Sequence, residues 1–222
     1  MTGVMLAIET STTDGSVALG AVGSVLGETV LGPDTRQSEA LLPAIDGLLA
    51  HHQIDRRAIA AIVVGGGPGS FTGLRIAAAT AKGFARALDA PLYAYSGLLA
   101  AAYPFASEGV VCALFDARRD EVYAACLAFG ATLVYEVEPA ALTIHEVLSR
   151  VSAAEVRFVG EGAVKHGDLI ERNGGTVKPS APRASALLAL AARYPEIGRV
   201  PDPGRWVPNY LRASGAERGV SG

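Results

Sequence analysis

Residues 65–75, GGGPGSFTGLR, join a run of glycines to the start of an alanine-rich segment. A helix N-terminus offers unpaired N–H groups and the positive end of the helix dipole, so glycines placed there can bring backbone donors up against a phosphate. The residues fit neither familiar phosphate loop. A P-loop needs Lys and then Ser or Thr after its closing glycine, where this chain has Leu74 and Arg75 after Gly73; the dinucleotide pattern G-x-G-x-x-G has Ser70 where its third glycine belongs. Metal chemistry finds no spacing either. The four histidines are His51, His52, His145 and His166, with no pair at i, i+4 on one helix and none flanking a Cys or carboxylate at ligand spacing. The expectation is no metal site, with the histidines as solvated helix ends.

The elements that would position these residues come in two similar sets. VMLAIET (4–10), GSVALGAV (15–22) and SVLGETVL (24–31) read as three short strands joined by tight turns. QSEALLPAIDGLLAHH (37–52) carries Leu41, Leu42, Ile45, Leu48 and Leu49 at helical spacing. A buried strand (60–67), a helix over 71–88 and a strand PLYAY (91–95) follow, with Ser96 as an N-cap. VVCALFDA (110–117), EVYAACLAF (121–129) and ATLVYEVE (131–138) then repeat the meander. Thr143 with Glu146 forms a capping box for the helix after it. VRFVGEGAV (156–164), a helix around 183–194 and the proline-rich PDPGRWVPNYLR (201–212) complete the chain.

A duplicated meander with an acid at each first turn resembles the actin-like, Hsp70-like and sugar-kinase ATPases. The fold class is therefore α/β, in two lobes, residues 1–105 and a reduced 106–212, with 213–222 a disordered tail. That resemblance implies phosphate turns in which glycine amides approach the phosphates and an Asp holds Mg²⁺ through water. Asp14-Gly15-Ser16 keeps part of the first turn. The second, Asp116 to Asp120, has no glycine, and the bulk of Arg118 and Arg119 blocks close backbone approach. Gly160 and Gly162, in VGEGA (159–163), stand where the superfamily's adenosine-contacting glycines belong. Asp14, Gly15, Asp116, Gly160 and Gly162 are thus candidates for a vestigial nucleotide site, with weak ATP or ADP binding and no turnover. A free-standing ATPase or small-molecule kinase using Asp14 and Asp116 is the alternative.

Composition narrows the class. Of 222 residues half are hydrophobic and only 18% charged, an apolar balance that goes with a partner-covered surface. The net charge of −3 draws nothing global to nucleic acid, so any RNA contact must be local or shared with partners. Cys112 and Cys126 suit thiols in a reducing cytosol better than a disulfide scaffold, and no membrane span or signal peptide is recognisable. The expectation is a soluble, cytoplasmic chain.

Over residues 4–212, the order MLAIETSTTDGSVAL, GGGPGSFTGLRIAAATAKGFA, FDARRDEVYAA, VGEGA and PNYLR resembles the TsaB (YeaZ) family of bacterial tRNA threonylcarbamoyladenosine biosynthesis proteins. GPGSFTGLR is its most specific part. The resemblance implies a non-catalytic paralogue of the threonylcarbamoyl transferase TsaD, pairing with it through N-lobe helices. The pair would work with the ATPase TsaE on the adenosine beside the anticodon of ANN-decoding tRNAs. The His-x-x-x-His pair expected of the catalytic paralogue is missing from this chain.

The docking surface is then expected on the helix from Phe71. Arg75, Lys82 and Arg86 share a narrow arc of it, beside a smooth face of Ala77, Ala78, Ala81 and Ala85 that would let another helix come close. Leu41 and Ile45 on the preceding helix join that surface, and Ser70 caps the helix start. Core packing of the alanines on their own sheet is the competing reading. Self-pairing of the same face predicts a homodimer when the chain is alone. Trp206 and Tyr210 read as pins for the terminal segment rather than a stacking platform for RNA, and Arg205 and Arg212 are too few for a tRNA footprint.

Overall fold

The computed structural model describes residues 3–21, 23–33 and 35–211. Arg212 and the tail at 213–222 lie outside the described residues. The chain forms two compact units, Met1–Ala100 with Pro182–Asn209, and Ala101–Ala181 with Tyr210–Gly222. The sequence reading placed one boundary near residue 105; the chain instead returns to the first unit near residue 182, because the helix there is needed to cover the first sheet.

In the first unit, β1 (Val4–Glu9), β2 (Ser16–Ala21) and β3 (Ser24–Val30) form the antiparallel meander. The helix α1 (Gln37–His51) leads to β4 (Ile59–Gly65), α2 (Phe71–Leu88) and β5 (Leu92–Tyr95), and the last two strands add in parallel to give the order β3-β2-β1-β4-β5. Residues alternate across this sheet as strand geometry requires. Leu6, Ile8, Val17, Leu19, Ile62 and Val64 face α1 and α2 in one buried cluster. Met5, Ala7, Ala18 and Val63 point the other way, and there α7 (Ala184–Arg193) packs, with Leu188 against Gly20. The sheet itself holds the start of α7: Ser16 Oγ accepts from the Ala184 amide at 2.9 Å, and the Glu28 carboxylate accepts from the amide and hydroxyl of Ser185 at 3.0 and 2.7 Å.

After α3 (Gly97–Ala102), the second unit repeats the plan. Its strands β6 (Val110–Arg118), β7 (Glu121–Phe129) and β8 (Leu133–Thr143) form the meander, α4 (Ile144–Arg150) follows, and β9 (Val156–Val159) and β10 (Thr176–Lys178) add in parallel, in the order β8-β7-β6-β9-β10. The same topology occurs twice, which is the actin-like fold. The capping box at Thr143 and Glu146 is present, with both of its hydrogen bonds. The segment 156–164 is not one element: it breaks at Gly160 into β9 and the short helix α5 (Glu161–Lys165), with α6 (Gly167–Arg172) after it.

Cys112 and Cys126 correct the expectation of free thiols. They lie directly opposite each other in the β6–β7 pairing, both fully buried, and are joined as a disulfide. Among the described residues no helix is long and apolar enough to cross a membrane.

Candidate functional site

The glycine-rich stretch is a seat for protein backbone. The Ser70 amide donates to the Ser11 carbonyl at 2.7 Å, the Gly66 amide to Tyr95 at 2.7 Å, and the Thr10 hydroxyl to the Gly73 carbonyl at 2.7 Å. A Cβ added at Gly73 would overlap the Thr10 carbonyl oxygen, and one at Gly69 would overlap that of Ser11. These glycines are required because the turn after β1 lies flat on the first turn of α2. Ser70 caps α2 as expected, its hydroxyl accepting from the Gly73 amide at 3.3 Å.

Folded into that seat is a residue absent from the candidate set. Glu9, the last residue of β1, is fully buried. One carboxylate oxygen accepts from the Ser11 amide at 2.6 Å; the other has no hydrogen-bond partner among the described residues and lies against Gly65, where any Cβ would collide with it. Burial pushes the Glu9 carboxyl above its ordinary value of 4.5, against the opposing hydrogen bonds of Ser11 and Thr10. The signal for Glu9 was its place in the repeat. It ends β1 as Asp116 lies near the end of β6, whereas Asp14 stands at the far side of the turn. Gly15 is closely packed, with Gln37 and the Glu9 carbonyl at its Cα, and Gln37 Nε2 donates to the Thr12 carbonyl at 2.7 Å.

In the second unit the equivalent acid is held by a lysine. Lys165 Nζ lies 3.0 Å from an Asp116 carboxylate oxygen, and that hydrogen bond holds the carboxyl below its usual value of 3.8. The ammonium thus occupies a direction from which a divalent cation would approach. Arg118, Arg119 and Asp120 follow, all left-handed, with φ of 64°, 55° and 61°. The glycine-free turn therefore needs three side-chain-bearing residues in a conformation that each adopts at a cost of about 1–2 kcal/mol. Gly160 and Gly162 turn their Cα atoms toward β6. A Cβ at Gly160 would run into the Leu114 carbonyl, and one at Gly162 would sit 2.9 Å from it. They let α5 approach β6, as Gly73 lets α2 approach the turn after β1. The five nucleotide candidates are accordingly divided between two units, and Gly15, Asp116, Gly160 and Gly162 have protein-internal contacts.

The helix faces also correct the expectation. Leu41, Ile45 and Ala81 belong to the core cluster of the first unit and Ala78 is buried with them, because α1 and α2 must both cover the same sheet. Core packing is the right reading for those four. The outward face of α2 carries Thr72, Arg75, Ala79, Gly83 and Ala87, all exposed, and α1 turns Leu42, Pro43, Gly47 and Ala50 outward. Arg75 stacks over the Phe71 ring at 3.8 Å. Lys82 donates to the Gly204 carbonyl at 3.0 Å, which ties α2 to a terminal strap at 199–209, and Arg86 is exposed. The strap continues along β5 and the glycine loop: the Val200 amide donates to Leu92, and the Asn209 amide to Gly66. Trp206 is the pin, packed on the core cluster and over Gly66; Tyr210 stays exposed. Among the described residues no group of three His, Cys, Asp or Glu side chains comes together.

The family model described as TsaD, tRNA N6-adenosine threonylcarbamoyltransferase, matches residues 34–178. The chain is 31% identical over 223 residues to the tRNA threonylcarbamoyladenosine biosynthesis protein TsaB of Bacillus subtilis, covering 96% of each chain. It is 38% identical over 122 residues to the TsaB of Haemophilus influenzae, covering 54% of this chain and 51% of that one. Among solved structures, a Pseudomonas aeruginosa protein described as similar to the peptidase YEAZ superposes with a TM-score of 0.83 at 32% identity, over 96% of this chain and all of that one.

Proposed function

The chain belongs to the TsaB (YeaZ) family of tRNA threonylcarbamoyladenosine biosynthesis proteins, and on that premise we propose that it acts as a non-catalytic subunit pairing with TsaD. It takes part in making the modified adenosine by docking to the transferase, while TsaE turns over ATP and the complex presents the adenosine beside the anticodon of ANN-decoding tRNAs. Alone, the chain pairs with itself through the same face. The non-catalytic reading rests on the two acids: Glu9 is sealed against Gly65 and Asp116 is paired with Lys165. A free-standing ATPase or kinase using Asp14 and Asp116 would need Asp116 free of Lys165.

The observation that carries the docking reading is a pair of helix-interior glycines with no use inside the chain. Among the described residues, Gly47 on α1 and Gly83 on α2 have nothing within 4 Å of where a Cβ would lie. Each costs its helix about 1 kcal/mol relative to Ala. Contact with another chain returns that cost, since bare backbone lets a partner helix approach closely and gain dispersion along its length. The exposed Leu42, at 53%, adds an apolar anchor to the same pair of helices.

Two substitutions separate folding from association. Gly83→Ala should raise the melting temperature of the isolated chain by about 2–4 °C. Gly83→Arg should melt at or above the unmodified chain, lose TsaD in a pull-down, and fail to support threonylcarbamoyl transfer in a reconstitution with TsaD and TsaE. A Gly83→Arg chain that folds and still binds TsaD places the interface elsewhere; transfer at full rate without any of this chain removes the subunit role.

A further inference from the structure

A cleft of about 920 Å³ lies within the first unit, between the C-terminal half of α2 and the strap at 199–204. Its floor is alanine, proline and valine, and its charged lining is Lys82, Arg86, Asp89, Arg199 and Asp202. Two of these are already engaged with protein. Lys82 donates to the Gly204 carbonyl, and Asp202 accepts from the Gly204 and Arg205 amides while pairing with the Arg205 guanidinium. That leaves Arg86, Arg199 and Asp89, none of which has a side-chain hydrogen bond or ion pair among the described residues.

Their origins differ. Arg86 stands in the last turn of α2, where a cation also offsets the negative end of the helix dipole. Arg199 has no such reason to be there: it reaches the cleft from the strap, placed by the bridge between its backbone and Tyr93. Asp89 is fixed by its left-handed backbone, φ 51°, at the end of α2. The chain as a whole carries a net charge of −3, yet two exposed guanidinium groups without a partner among the described residues line this one concave surface of mixed polar and apolar character.

We propose that this cleft binds a ribose phosphate, with Arg86 and Arg199 taking the phosphate and Asp89 accepting from a ribose hydroxyl. Guanidinium groups match phosphate oxygens in forked geometry, and a carboxylate is an acceptor only, so it selects a ligand that brings hydroxyl donors beside its anion. The phosphate belongs either to a small ribose phosphate or to the backbone of an RNA. The inference does not depend on the docking reading, and its test needs no TsaD.

The test uses the full chain with ribose 5-phosphate, and with a fluorescent RNA stem-loop and its DNA counterpart, followed by calorimetry and anisotropy from 50 to 200 mM KCl. Arg86→Gln with Arg199→Gln should weaken binding at least tenfold and, for RNA, lower the slope of log affinity against log salt by about two contacts' worth, about 1.4–1.8. Asp89→Ala should remove the preference for RNA over DNA. Arg56→Gln, whose partner Asp46 lies away from the cleft, is the control and should leave binding unchanged. Binding of ribose 5-phosphate assigns a small ligand; binding of RNA alone assigns a backbone. The proposal fails if no probe binds at millimolar concentration, or if the double variant, with an unaltered melting temperature, binds as the parent does.

Discussion

Glu9 and Asp116 occupy corresponding places in the two repeats, yet their surroundings are opposite. Glu9 is buried, with an unpartnered oxygen against Gly65, and burial drives its proton affinity up. Asp116 is on the surface, paired with Lys165, and that partner drives its proton affinity down. Each repeat keeps the acid and each closes it off by a different means, one by glycine packing and one by a countercharge. Duplication thus preserves a backbone plan more faithfully than the chemistry the plan once positioned.

The comparison can be broken first at the glycine seats. Gly73→Ala should be the most damaging change, about 3 kcal/mol or more, because its Cβ would overlap the backbone of Thr10 and neither side can yield. Gly162→Ala in the second unit should cost less, about 1–3 kcal/mol, with its nearest atoms at 2.9 Å. Denaturant titration of both variants checks the order, and equal losses would mean that the two seats are equally tight. The next effect is on pH dependence. The folded chain keeps the Glu9 proton above 4.5, so the stability this group contributes is fully present below that value and is lost as pH rises through its folded value. Glu9→Gln should flatten that decline in a series of melts, and an unchanged slope would show that Glu9 titrates normally. The smallest effect belongs to the ion pair. The stability Asp116 gains from Lys165 is present above 3.8 and disappears as pH falls through the lowered value. With the lysine and aspartate side chains 45% and 38% exposed, Lys165→Met should cost under about 1 kcal/mol at neutral pH and less in high salt.

Much of the architecture was legible because its signals are local. The two meanders, the long helices and the Thr143 capping box each declare themselves within a few residues. Helices α5 and α6, of five and six residues, are too short for a helical period to show, and β10 has three residues. The candidate site was less legible for a different reason. Ala78 and Ala79 are adjacent alanines, yet one is buried and the other faces out, and only the placement of α2 over the sheet decides which. Glu9 was hidden in the same way: at the end of an apolar strand an acid reads as the start of a turn, and its burial depends on Gly65, 56 positions later. Family resemblance could supply the function but not these contacts.

The late return of the chain to its first unit has a consequence during synthesis. One face of the first sheet, with Met5, Ala7, Ala18 and Val63, is covered by a helix that lies 84 residues beyond Ala100 in the chain. At ribosomal speeds of about 5–20 residues per second, that face stays bare for on the order of ten seconds while Ala101–Ala181 of the second unit emerges and can close its own core. The half begun first is therefore the half finished last.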